Sequence, residues 1–147
     1  MNAFRGQRRH ERGTMTLLGI GLSTMLLFVG GFSLDLWRAH SERRALAELA
    51  DAAAAAGANG IDTTVYRSSG ELVLDPTLAE QLAWESIVGQ ADQRSLVGTP
   101  LVSSNIDRVV VQVEGEVGMT LLRIFSGGEP FSIQVTAEAV PVRGLDP

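Results

Sequence analysis

An α+β domain carried on one membrane-crossing helix is the fold class this sequence predicts, and three observations predict it. Residues Thr14 to Leu34, TMTLLGIGLSTMLLFVGGFSL, contain no charged side chain. The segment that follows, Asp35 to Ala58, lacks proline and is rich in Ala, Leu, Arg and Glu, all strong helix formers. Beyond Gly60, Val-rich runs alternate apolar and polar residues with period two, which is the mark of a half-buried strand.

The first element is the apolar run. A helix rises about 1.5 Å per residue, so the run spans roughly 30 Å, the thickness of a hydrocarbon core. Before it stands a basic stretch with Arg5, Arg8, Arg9 and Arg12 against one acid, Glu11. The rest of the chain sets eight Arg against sixteen acids, a net charge of −8. Lys and Arg are enriched on cytoplasmic flanks, so this asymmetry predicts a cytoplasmic N-terminus and an extracytoplasmic bulk. A cleaved signal peptide fits less well: its apolar region is shorter and ends at a small-residue site, whereas Asp35-Leu36-Trp37-Arg38 follows here. Arg8-Arg9 lacks the continuation of a twin-arginine export signal, and a core helix of a small soluble protein would not hold so long an apolar run. Trp37 suits an anchor at headgroup level.

The second element continues the first. Leu46, Leu49, Ala50, Ala53 and Ala56 fall at three- and four-residue spacing and form a narrow apolar stripe. Arg38 and Glu42, then Arg44 and Glu48, stand four apart on the solvated side. Gly57 and Asn59-Gly60 supply the stop, through their tolerance of the left-handed conformation. One helix of about 45 residues is expected, half in lipid and half projecting, since the pattern continues at 1.5 Å per residue.

After it, Thr63 to Tyr66 and Leu72 to Leu74 flank Ser68-Ser69-Gly70 and read as a hairpin. Asp75-Pro76 starts a helix, N-cap then first-turn proline, which runs to Gln90 with Leu78, Leu82, Ala83 and Ile87 on one face. Pro100 marks a loop. Ile106 to Val117 is the clearest strand, with Val109, Val111 and Val113 alternating against Val110, Gln112 and Glu114. Met119 to Phe125 fits helix or strand. Gly127-Gly128 turns the chain into a last strand, where Phe131, Ile133, Val135 and Ala137 alternate with Ser132, Gln134, Thr136 and Glu138. The expected layout is a basic tail over 1–13, a span over 14–34, a helical stem over 35–60 and a small α+β domain over 61–147. That domain is an antiparallel sheet with one packed helix.

Composition narrows function. The 147 residues leave room for one small domain. Cysteine is absent, so disulfides and thiolate metal sites are excluded. All twelve basic residues are Arg, a sign of GC-rich coding and a bacterial source. The acidic balance argues against a nucleic-acid partner, and the basic tail reads as a topology signal resting on anionic headgroups.

Chemistry finds no foothold. His10 and His40 lie on opposite sides of the span, and no nucleophile–base pair or metal-ligand cluster is visible. Glu114 and Glu116 share a strand face and read as a charged rim. No cofactor is expected, and an enzyme is not the expected class. Contact candidates are Asp35, Asp51, Gly19 and Ser23. Asp35 either pairs with a partner helix or ends the span in the headgroup region beside Arg38. Asp51 either meets another helix or faces solvent. Gly19 and Ser23 have the small-xxx-small spacing that lets helices approach, and Gly30-Gly31 adds a second such place. An oligomer through the N-terminal helix would use these.

Arg12-Gly13 before the span, Asp35 at its outer end and the block Arg43-Arg44-Ala-Leu46-Ala-Glu-Leu49-Ala50-Asp51-Ala52-Ala53-Ala54-Ala55-Ala56-Gly57-Ala58 resemble the N-terminal region of TadG/TadE-like proteins of tight-adherence (Flp, type IVc) pilus assembly. The resemblance covers residues 12–58. It departs at Glu48, where that family often has Gln, and in carrying Ala where Leu is frequent. It implies a pilin-like plan and a role as a structural or minor-pilin-like membrane component. The partners it implies are membrane lipid and other pilus-assembly or pilin-like membrane proteins. Leu18 stands five residues after Gly13, where processed pilins carry Glu, so a main fibre subunit is not implied. The alternative function, from another class, is a membrane-tethered binding or sensory module of the cell envelope.

Overall fold

The computed structural model describes residues 8–91, 96–121, 123, 127 and 130–142, the side chains of 8–12 and 91 excepted. The architecture is α+β, in the order α1 (Arg8–Gly57), α2 (Thr63–Ser69), α3 (Pro76–Ala91), β1 (Leu101–Ser104), β2 (Val109–Val117) and β3 (Phe131–Ala139). The strands form one antiparallel sheet in the order β1-β2-β3. The chain divides into two compact units. One comprises Met1–Trp37 with Met119–Glu129, and the other Arg38–Gly118 with Pro130–Pro147.

The 50-residue α1 is unbroken, and its stretch Gly13–Gly57 is long and apolar enough to cross a membrane. Within the first unit Met15, Leu18, Leu22, Leu26 and Val29 are all exposed. Thr24 and Ser33 turn their hydroxyls back on the helix, donating to Ile20 O and Val29 O at 2.9 and 2.8 Å. A hydroxyl that bonds its own helix leaves no unsatisfied polar group on an apolar surface.

In the second unit the helix changes character. Leu46, Leu49, Ala50, Ala53 and Ala54 are buried in a core completed by Leu74, Ala79, Ala83, Ile87, Val109, Val111, Val113 and Ala137. Ala54, outside the predicted stripe, is buried, while Ala56 is half-buried. The exposed side carries Arg44, whose Nε donates to Glu48 Oε1 at 3.1 Å.

The helix stops where expected, for a different reason. Gly57 and Gly60 do not have positive φ. A Cβ at Gly57 would lie 2.9 Å from Ala79 O, and one at Gly60 would lie 2.7 Å from Ala79 N and Cα. These glycines are small so that the backbone of α3 can approach. Asn59 Nδ2 closes the end by donating to Ala55 O at 3.1 Å.

The predicted hairpin is corrected: Thr63–Ser69 is the helix α2. Asp62 Oδ1 accepts from the N–H groups of Thr64 and Val65 at 2.8 and 3.1 Å, and Gly70 ends the turn at φ 74°. A strong cap at each end overrides the β preference of Thr and Val. The flanks still meet. Ile61 bridges Leu74, Asp62 N donates to Val73 O, and Asp75 N donates to Gly60 O.

Asp75 caps α3 as predicted, accepting from the N–H groups of Thr77 and Leu78 at 3.0 and 3.3 Å. The buried face is Ala79, Ala83 and Ile87, with Leu78 exposed, so small residues rather than Leu78 face the core. The strand β1 was not foreseen at Pro100. Four residues are too few to show a period, and pairing with β2 makes the strand. Ser104 ties it to α3, donating through Oγ to Pro76 O at 2.9 Å.

The alternation holds through the middle of β2 and β3, with two corrections: the strand predicted from Ile106 starts at Val109, Ile106 being an exposed bend, and Phe131, at the end of the sheet, is exposed rather than buried. Val109, Val111, Val113 and Val117 are buried; on the other face Val110 and Gln112 are half-buried and Glu114 and Glu116 exposed. All nine residues pair with β3, from Val109 with Ala139 to Val117 with Phe131. Arg108 Nη1 donates to Glu138 Oε1 at 3.0 Å on the wet face.

Candidate functional site

The connection from β2 to β3 returns to α1. Asp35, at the outer end of the apolar run, is fully buried. Its Oδ1 accepts from the backbone N–H of Thr120 at 2.8 Å, and its Oδ2 from that of Leu121 at 2.7 Å. One oxygen per N–H is the geometry that suits an ionised carboxylate, and charged acceptors make bonds of about this length. Burying a carboxylate without partners would be costly, so these donors are what makes the position tenable.

One turn before Asp35, Gly31 completes the contact. A Cβ there would lie 2.8 Å from Leu121 Cγ and closer still to Leu121 Cδ1. Gly31 is therefore the seat of the Leu121 side chain. The same residue pair, Gly30-Gly31, was a candidate for the approach of another helix; what approaches Gly31 is a segment of its own chain.

The other candidates fall apart from this cluster. Asp51 is exposed, and so is Trp37 at 68%. Gly19 and Ser23 are exposed, with nothing within 4 Å of a Cβ built at Gly19. Arg8, Arg9 and Arg12 lie in the first turns of α1, and their side chains are outside the described residues. His40 is exposed on α1, and Trp84 is half-buried on α3. Among the described residues, no three His, Cys, Asp or Glu side chains gather as metal ligands would. Part of the predicted helix-or-strand stretch from Met119 to Phe125 also lies outside them. Thr120 and Leu121 form a bend.

Thr120 and Leu121 escape sequence reasoning because they contribute backbone N–H groups, which every residue but proline has. The one available signal was Asp35 itself, an acid at the end of an uncharged run that needs donors from somewhere.

Residues 13–60 match a family model described as "Putative Flp pilus-assembly TadE/G-like". The matched segment takes in the apolar run, Asp35, the alanine stem and Gly60, and it stops before α2. No curated protein and no solved structure matches the chain. The match to the TadE/G-like segment supports a pilus-assembly role.

Proposed function

We propose that this protein is a single-pass membrane component of an Flp-type pilus-assembly system and acts by protein–protein contact. The match of residues 13–60 to the TadE/G-like family carries the reading. The apolar part of α1 is the anchor in the cell membrane, in contact with lipid. The Arg-rich start stays in the cytoplasm, following the bias of basic residues to that side. The α+β domain then lies outside the cytoplasm and presents surfaces to other pilus-assembly or pilin-like membrane proteins, and α1 is the route to any oligomer. Catalysis, cofactors and nucleic acid have no part in this reading.

Deletion of the gene with complementation by the full chain tests it. Loss of surface pili on deletion and their return on complementation is the expected result; pili of unchanged number and length would end the proposal. Because Asp35 is buried and Asp51 exposed, a photoreactive residue at Asp51 is the better probe of partners. It should capture pilus-system subunits in intact cells.

A further inference from the structure

Gly31 lies inside the uncharged run, one turn and about 6 Å below Asp35 along the helix. The Leu121 side chain rests on it. If the run crosses the bilayer, the segment Met119-Thr120-Leu121 sits at the depth of the last apolar turn. From this we propose that Met119-Thr120-Leu121, the residues that follow β2, form a second, non-helical contact with lipid, seated in the outer interfacial layer and held there by Asp35. The inference rests on the membrane-spanning reading of α1.

Irregular backbone at membrane depth is tolerated only where its polar groups are satisfied by protein. That condition is met here for the two amides in question. The N–H groups of Thr120 and Leu121 both end on Asp35, and Asp35 has no exposed surface left. Each side solves the other's problem: the buried acid receives donors, and the connection receives acceptors. The side chains around the contact have interfacial chemistry. Phe32, Leu34, Leu36 and Trp37 are exposed on the same two turns of α1, and large apolar and aromatic residues are the ones that settle at this boundary. Leu121 adds an apolar residue to that belt from outside the helix. A lipid surface is the partner these features fit.

The chain contains no cysteine, so a single introduced one can be labelled alone. Thr120 is the site, because its side chain is exposed while its N–H serves Asp35. The full-length Thr120→Cys protein, carrying an environment-sensitive fluorophore, is reconstituted in phosphatidylethanolamine–phosphatidylglycerol vesicles. Leu22→Cys serves as the mid-span reference and Tyr66→Cys, on α2, as the aqueous one. The label at 120 should be quenched by nitroxide-bearing lipid and be about threefold less sensitive to iodide than the label at 66, as interfacial burial requires. Adding Asp35→Ala should return it to the iodide sensitivity of the label at 66. If that variant does not accumulate, Asp35→Asn, which keeps one acceptor oxygen, should shift it part of the way.

Iodide quenching at 120 equal to that at 66, with Leu22 quenched only from lipid, would overturn this inference and leave the span intact. Iodide access at Leu22 would instead remove the span, and this inference with it. Unchanged quenching at 120 after loss of the Asp35 carboxylate would show that Asp35 does not hold the connection.

Discussion

Up to Trp37, α1 leaves Met15 and Leu27 exposed at 74% and 76%, whereas beyond Arg38 the same helix buries Leu49 and Ala50 completely. From Thr14 to Leu34 the first stretch shows apolar side chains on all sides and carries no charge. The second confines small apolar residues to a stripe and places Arg44 and Glu48 opposite. A helix that is apolar all round presents a different surface from a striped one, whose stripe packs in a protein core. One uninterrupted helix therefore has two kinds of surface, and Asp35 stands near the change. Glycine follows the same division. Gly19, Gly21 and Gly30 have open space where a Cβ would be, while Gly57 and Gly60 have the backbone of Ala79 there.

The contrast can be broken most severely from the apolar side. Leu22→Arg places a charge at mid-span, at a cost of about 2.5–3.5 kcal/mol on insertion scales. The protein should shift from the membrane to the soluble or degraded fraction on cell fractionation. On the striped side, Leu49→Ala should cost about 2–5 kcal/mol, because a fully buried leucine leaves a cavity in the core. Thermal unfolding of the detergent-solubilised chain would read this, and a change below about 1 kcal/mol would deny that the stem is core.

Gly60→Ala should cost about 1–3 kcal/mol in the same measurement, since the added methyl meets backbone rather than a side chain that can swing aside. The paired control, Gly19→Ala, has open space and should be neutral or slightly stabilising through helix propensity. At Asp35, Ala should leave two amide donors without their acceptor, at a cost of about 1–3 kcal/mol. Amide exchange at Thr120 and Leu121 should then rise, with the core amides of β2 unchanged. The smallest effect belongs to Arg44→Ala, which removes an exposed ion pair and should shift stability by no more than about 0.5 kcal/mol.

How far the sequence could be read differs along the chain in a way that physics explains. The long helix and the β2–β3 alternation were legible because each is a local pattern repeated several times, and the Asp75 cap because Asp-Pro is a start signal held in two adjacent residues. Thr63 to Tyr66 read as a strand because Thr, Val and Tyr favour strands one by one, while the two caps that make Thr63–Ser69 a helix act from outside it. The strand Leu101–Ser104 exists through its pairing, which no window of four residues records. At the site, Asp35 stood out as an acid ending an uncharged run. Thr120 and Leu121 did not, since nothing in a side chain announces which backbone N–H will be borrowed from 85 and 86 residues away.

By itself, then, the sequence determined that there is an apolar helix of membrane-spanning length, that it continues into an alanine-rich stem, and that Val-rich strands follow. Periodicity and charge are properties of neighbours along the chain, so they survive without a fold. Only the tertiary structure decided what covers Asp35, why Gly57 and Gly60 are glycine, and that Leu121 comes to rest on Gly31. Those facts depend on which distant segments meet, and burial and hydrogen-bond satisfaction select that meeting.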